Sequence, residues 1–329
     1  MNSLELFKTQ KFYQIDISIL KDLGYDVLLS NRIFDSLLFW KYDILFSYFY
    51  RYSFFAALLA KCFGKKTYFT GGIDSLDSDY ASAFNYKIQA LFFKLCYWVA
   101  DSCIIVSQSD LKNIFKVSSL KKKLSYSEHV INTKLFIADV PKEKIFTSIV
   151  WMGDEGNVVR KGVDKALQIF AELKKIPEFV DYRFVIIGRK GEGEVLVRSI
   201  IDKYNLKGSV ELKGEVSEED KINLLKQSKY YFQLSLYEGF GLAALEALCA
   251  SNILIHSGKG GLANPIYKEQ LLFDIDNDFD SELLKLVNKL ACFTPITSYD
   301  NLLEYYDIQR RKDDFEAIIV NGKSNYKLK

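Results

Sequence analysis

The stretch Tyr230-Tyr231-Phe232-Gln233-Leu234-Ser235-Leu236-Tyr237-Glu238-Gly239-Phe240-Gly241-Leu242-Ala243-Ala244-Leu245-Glu246 decides how this chain is read. Its aromatic and apolar start, Tyr230 to Ser235, suits a pleated, buried strand. The run Leu242 to Ala250 is rich in good helix formers and predicts a helix. A Gly-Phe-Gly turn joins the two, with Glu238 on the loop and Glu246 about a turn inside the helix. A helix N-terminus lined by small residues attracts an anion, and ionised carboxylates accept hydrogen bonds from hydroxyls. The stretch is therefore built to hold a polyol beside a phosphate.

The same strand–glycine–helix unit recurs on both sides. Phe146–Met152 reads as a strand, followed by a loop to Lys161-Gly162 and a helix Val163–Lys174. Arg183–Ile187 reads as a strand ended by Gly188, with a helix to Tyr204. Val210–Lys213 is a strand ended by Gly214, and Ser217 caps a helix to Gln227 with acids in its first turn. A last strand, Asn252–His256, ends at Ser257-Gly258-Lys259-Gly260-Gly261. Such alternation predicts an α/β fold with a doubly wound parallel sheet. Ligands bind such sheets at the carboxyl ends of the strands, where the loops 153–162, 188–193, 238–241 and 257–261 fall.

The first half repeats the pattern less regularly. Leu4–Phe7, Val27–Ser30, Asp43–Ser47, Lys66–Thr70 and Ser102–Ser107 read as strands, and Gln14–Leu23 as a helix. The polar, proline-bearing segment Asp139–Lys144 is the expected linker. The expected organisation is a Rossmann-like domain over 1–140, a second over 141–305, and a C-terminal helix and tail over 306–329 packing back toward the first.

The formal net charge is +2, too small for a strong whole-protein field, and no nucleic-acid partner is expected. Residues 1–137 nevertheless carry 17 Lys and Arg against 12 Asp and Glu, and 21 of the 49 aromatic residues lie between positions 31 and 100. A basic, aromatic half suits peripheral contact with an anionic membrane; an ordinary aromatic-rich core with solvated lysines gives the same composition. Five scattered cysteines without CxxC pairing point to a reducing compartment. Charges at Glu5, Lys8, Lys11 and Asp16 argue against a signal peptide, and no apolar run is long enough to span a bilayer. The expected location is cytoplasmic, with peripheral attachment at the inner face of the cell membrane as the further expectation. No metal site is expected: the calcium-loop-like run Asp274–Asp278 is followed by Phe279 where such a loop demands glycine. Gly188-Arg189-Lys190-Gly191-Glu192-Gly193 has the wrong spacing for a nicotinamide cofactor.

Glu238-Gly239-Phe240-Gly241 through Glu246-Ala247 resembles the E-x7-E signature of retaining GT-B glycosyltransferases, specifically the GT4 family. Arg160-Lys161-Gly162-Val163-Asp164 is similar to that family's Lys-Gly donor-phosphate loop. Phe184–Gly188 with Gly214-Glu215-Val216, the Gly260-Gly261 pair, and Val130–Phe136 resemble further segments of it. The resemblance covers about positions 15–310 and is strongest from 150 to 266. It implies two Rossmann-like domains with a cleft, no cofactor, and a UDP- or GDP-linked sugar as co-substrate. Glu238 would contact the donor sugar and Lys161 would neutralise the leaving diphosphate. Glu246 would hold the ribose, and Arg160, Arg189, Val216, Gly239, Phe240, Gly241 and Leu242 would complete the donor site. Gly72 and Asp74 are the acceptor-side candidates, for a glycan or lipid-linked acceptor in cell-surface polysaccharide synthesis.

The chain departs from the family at several places. Asp154 stands where an arginine is usual, Asn264 where a glutamate is usual, and Thr70-Gly71-Gly72-Ile73-Asp74 lacks the family's histidine. The family's N-terminal Gly-rich loop is also absent, Lys8-Thr9-Gln10-Lys11 taking its place, and this with Asp154 motivates a rival reading, a catalytically inactive GT-B partner subunit of a glycosyltransferase complex.

Overall fold

The computed structural model describes residues 3–137, 140–293 and 300–323. It divides into two α/β units, Met1–Asn132 with Glu304–Lys329, and Thr133–Leu303. The division falls upstream of the expected boundary at 140 and 141. The Pro141 segment lies inside the second unit and leads directly into its first strand, while Asp139 lies outside the described residues.

In the first unit, α1 (Ser3–Thr9) and α2 (Lys11–Asp22) precede β1 (Ile44–Tyr48), α3 (Ser53–Cys62), β2 (Lys66–Thr70), α4 (Ala83–Val99), β3 (Ser102–Ile105), α5 (Gln108–Val117) and β4 (Leu124–Tyr126). The strands are parallel and lie in the order β1-β2-β3-β4. Alternation along them sorts side chains to two faces. Phe69, Cys103 and Ile105 pack with α3, α4 and α5, whereas Tyr68 and Ile104 pack with Ile19 and Leu20 of α2.

Two expected strands are absent. Leu4–Phe7 lies within α1, whose residues are helix formers and which packs on α2. Val27–Ser30 has no regular secondary structure, and Leu28 is exposed. Short apolar runs of this length do not distinguish strand from helix or loop by periodicity.

The second unit runs β5 (Glu143–Ile149), α6 (Glu155–Arg160), α7 (Val163–Leu173), β6 (Arg183–Ile187), α8 (Glu194–Lys203), β7 (Val210–Gly214), α9 (Glu218–Gln227), β8 (Ser228–Gln233), α10 (Leu242–Cys249), β9 (Ile253–His256), β10 (Leu271–Leu272) and α11 (Phe279–Cys292). Its six strands are parallel, in the order β10-β9-β8-β5-β6-β7. The chain winds from β5 out to β7, then returns to lay β8 on the other side of β5. Strand order therefore reverses between β5 and β8, which opens a crevice at their carboxyl ends. Phe146 of β5 stacks on Tyr230 and Phe232 of β8 at ring-centroid distances of 4.6 and 5.1 Å, fixing the two strands beneath that crevice. The segment expected as a plain loop after β5 contains α6. Asp154 caps it, its Oδ1 accepting the Asn157 N–H at 2.6 Å.

After α12 (Asp300–Tyr305), α13 (Ile308–Phe315) returns to the first unit. Residues 324–329 of the expected C-terminal segment lie outside the described residues. Phe315, Ile318 and Ile319 join the core face of α2. Arg311 is fully buried and grips Asp16 of α2 with two bonds, Nε to Oδ1 at 2.6 Å and Nη2 to Oδ2 at 2.9 Å. Its Nη1 donates to the Ser127 and Glu128 carbonyls, and the Tyr48 hydroxyl donates to Asp16.

Candidate functional site

The crevice between β5 and β8 receives two loops. From β5, α6 delivers Lys161 and Gly162; from β8, the chain runs through Ser235 to Glu238. Lys161 Nζ donates to Glu238 Oε1 at 2.6 Å. The approach depends on Gly162, which has φ +67° and sits against the end of β8. A Cβ there would lie 2.0 Å from the Leu234 carbonyl oxygen. The Leu236 N–H donates to the Arg160 carbonyl at 2.8 Å and ties the two loops again.

Glu238 is held from three directions. Besides Lys161, its Oε1 accepts from Gln233 Nε2 at 2.8 Å and Ser235 Oγ at 2.6 Å. Gln233 is in turn oriented by the Tyr231 hydroxyl at 3.2 Å, which accepts the Ile149 N–H. The Glu238 carbonyl accepts the Gly261 N–H at 2.6 Å. Gly260 lies so close that a Cβ would meet this carbonyl oxygen at 2.3 Å. Side chain and backbone are thus both fixed, as a preorganised group requires.

Glu246 lies in α10, largely buried, and accepts from Lys221 Nζ of α9 at 2.7 Å. Lys221 also pairs with Glu218 at 3.1 Å and lies 5.9 Å from the centre of the Phe136 ring. Burial works against the Lys221 charge. The Glu246 carboxylate, with its hydrogen bond and then Glu218, outweighs that and holds the ammonium above its ordinary range.

Gly241, at φ +87°, turns the chain into α10, so the first amides of the helix face the carboxyl edge of the sheet. Phe240 is buried there, and Gly239 and Leu242 are partly exposed. Arg160 is half-buried and donates through Nη2 to Asn157 Oδ1 at 3.2 Å. Arg189 follows β6 and is exposed; Val216 follows β7 and packs against the buried cluster of Ile145, Val185, Ile187 and Leu224. Direct side-chain contact joins Lys161 with Glu238, whereas Glu246 has its own partner in Lys221. Lys221, Gln233 and Ser235 were missed from sequence. The signal for the last two is a polar residue at alternate positions near the end of an otherwise apolar strand. For Lys221 no local signal exists.

In the first unit, Gly72 and Asp74 follow the carboxyl end of β2, and Asp74 opens a short 3-10 turn. Beneath them Asp110 is fully buried, with Oδ1 accepting the Ile73 N–H at 3.3 Å. Burial, then the neighbouring Asp74 carboxylate, pushes the Asp110 carboxyl up to about 8. The folded protein thus keeps a proton that the unfolded chain releases above the ordinary carboxylate range. The contribution of Asp110 to stability should therefore fall as pH rises towards 8 and level off beyond it, while the buried His129 and His256, held below their ordinary range, work in the opposite direction at lower pH. Asp110→Asn should lose less stability than wild type, the margin widening by up to about 1.4 kcal/mol per pH unit. Melting temperatures of both proteins at about pH 5 and about pH 8 check this; an unchanged margin would contradict it.

Residues 156–290, which hold Lys161, Glu238 and Glu246, match the family model for glycosyl transferases group 1. A GDP-mannose:cellobiosyl-diphosphopolyprenol alpha-mannosyltransferase of Xanthomonas oryzae pv. oryzae is 32% identical over 163 residues, covering 43% of this chain and 40% of that protein. A phosphatidylinositol N-acetylglucosaminyltransferase subunit of Homo sapiens is 30% identical over 105 residues, 32% of this chain and 21% of that one. This chain thus spans less than half the length of these two curated relatives. Among solved structures, Anabaena HepE in complex with UDP-glucose matches with a TM-score of 0.68 at 12% identity, over 93% of this chain and 88% of that one. Likeness at that identity concerns the fold, and the fold is GT-B, with two Rossmann-like domains.

Proposed function

From a second unit that carries the glycosyl transferases group 1 domain, we propose that this chain is a retaining glycosyltransferase. It moves a sugar from a UDP- or GDP-linked donor to a glycan or lipid-linked acceptor. The observation that carries this reading is the contact of Lys161 with Glu238 at the switch point of the second sheet. A cation and a carboxylate side by side suit a ligand whose phosphates and hydroxyls are adjacent.

In the proposed reaction the bond from the anomeric carbon to the β-phosphate oxygen breaks, and its electron pair leaves with the diphosphate. Lys161 and the first amides of α10 stabilise the charge developing there. Glu238, locked by Gln233 and Ser235, orients the sugar through its hydroxyls. The acceptor oxygen forms the new bond on the face the diphosphate leaves, and its proton passes to the departing phosphate. Glu246, positioned by Lys221, receives the ribose hydroxyls. Asp154 is engaged as the cap of α6, so its carboxylate is committed to a backbone amide.

Calorimetry with UDP, GDP and ADP in parallel tests the donor site. Binding of UDP or GDP is expected, and Glu246→Ala should weaken it by roughly tenfold to a hundredfold. Wild-type affinity in that variant would remove Glu246 from the site. Absence of binding by all three nucleotides would favour the inactive partner subunit.

A further inference from the structure

The outward face of α4 is not that of an ordinary surface helix. Phe84, Lys87, Leu91, Lys94 and Trp98 follow one another at spacings of three and four, which aligns them along one side of the helix. All five are exposed, Phe84 at 73%, Leu91 at 56% and Trp98 at 68%. The opposite side, with Phe93, Cys96 and Tyr97, already fills the core of the first unit. An amphipathic helix normally turns its charged face to water; this one presents large apolar groups there, separated by lysines.

The face continues onto neighbouring α3, whose exposed Phe55 meets Phe92 of α4 edge-on at 6.3 Å. Neither helix contains an acid, and no Asp or Glu occurs anywhere in 44–73 or 80–100. At the C-terminal end of α4, Lys123 Nζ donates to the Trp98 carbonyl at 2.9 Å and brings a further cation to the same end. Phe84 to Trp98 extends about 21 Å along the helix, and no helix among the described residues is long and apolar enough to cross a membrane.

We propose that this face of the first unit docks on an anionic lipid surface, with Phe84, Leu91 and Trp98 entering the headgroup boundary and Lys87 and Lys94 meeting lipid phosphates. Large apolar groups flanked by lysines, with no acid on either helix and the bordering Asp101 paired with Lys61 of α3 at 2.9 Å, are the complement of such a surface. A second copy of the same face fits poorly, because antiparallel α4 helices would set Lys87 against Lys94, and like charges in register repel. The loop bearing Gly72 and Asp74 leads into the Phe84 end of α4.

Co-sedimentation of the full chain with vesicles tests the surface, with no donor or acceptor present, so its outcome stands apart from that of the nucleotide titration. Binding is expected to vesicles of phosphatidylglycerol in phosphatidylcholine at low salt, and to weaken as salt rises. It should be much weaker to phosphatidylcholine alone. Phe84→Ala and Trp98→Ala should each lower binding about tenfold, and Lys87→Gln and Lys94→Gln about fivefold each on the anionic vesicles. All four positions are exposed, so unchanged melting temperatures should accompany these losses. Equal binding to both vesicle types, no binding by wild type, or variants that sediment like wild type would overturn the proposal. A concentration-dependent dimer abolished by Trp98→Ala, without vesicle binding, would overturn it in favour of a second copy.

Discussion

Lys161→Ala is expected to lower kcat for sugar transfer by roughly 10²–10³-fold, the usual loss when one preorganised donor to a developing oxyanion is removed. The magnitude follows from position. Lys161 stands at the strand-order reversal, on a loop that Gly162 and the Arg160 carbonyl fix against the end of β8. Donor affinity should fall less than kcat, because leaving-group charge grows toward the transition state while the ground-state diphosphate keeps the amides of α10. Glu238 retains Gln233 and Ser235 in this variant, so the loss reports on Lys161 rather than on collapse of its neighbour. Lys161→Arg should recover part of the rate, since it restores charge but not the compact geometry of an ammonium. Steady-state kinetics with separate kcat and KM make the test. A kcat within about twofold of wild type in Lys161→Ala would remove the residue from the reaction.

Arg311→Ala should destabilise the first unit by about 3–5 kcal/mol, the consequence of leaving a buried carboxylate without its partner. Asp16 and Arg311 are both almost wholly excluded from water, and the guanidinium also serves the Ser127 and Glu128 carbonyls. A unit of this size should melt about 6–20 °C lower. The double variant Asp16→Leu with Arg311→Met removes both charges and should be closer to wild type than Arg311→Ala, because an apolar pair has no charge to desolvate. Thermal unfolding of the three proteins decides the matter. An Arg311→Ala protein that melts like wild type would mean that Asp16 is satisfied by Tyr48 and water alone.

Much of the second sheet was legible in the chain because its central strands are buried on both faces and read as unbroken apolar runs closed by glycine. Arg183–Ile187 is such a strand, and the observed limits match those read from the residues. The helix cap at Ser217 was legible for a different reason, a local side chain to backbone bond, here to the Asp220 N–H at 3.0 Å. Where neither signal operated, the reading failed. Leu4–Phe7 is too short for its period to be resolved, and α6 is a six-residue helix whose cap, Asp154, reads equally well as a turn residue. In the candidate site, Glu238 and Glu246 stood out by spacing. Lys161 stood out through its Lys-Gly loop, but its contact with Glu238 did not, and Lys221 was not legible at all, because these side chains come from separate helices and loops that only the tertiary fold brings near. The ion pair of Asp16 with Arg311 joins residues 295 positions apart, and no local pattern announces it.

That ion pair sets an order of events on the ribosome. The second unit is one continuous stretch, Thr133–Leu303, whereas the first is interrupted by it and completed by Glu304–Lys329. During synthesis, the carboxylate of Asp16 waits for a partner that emerges almost three hundred residues later. Domains generally fold as units as they emerge, N-terminal first. Here the rule is inverted: the later-encoded unit is complete while the earlier one still lacks the helix that neutralises its core. Nascent chains stalled before Arg311 should therefore carry a finished second unit behind an unfinished first one, and the interval between the two is when chaperones have most to cover.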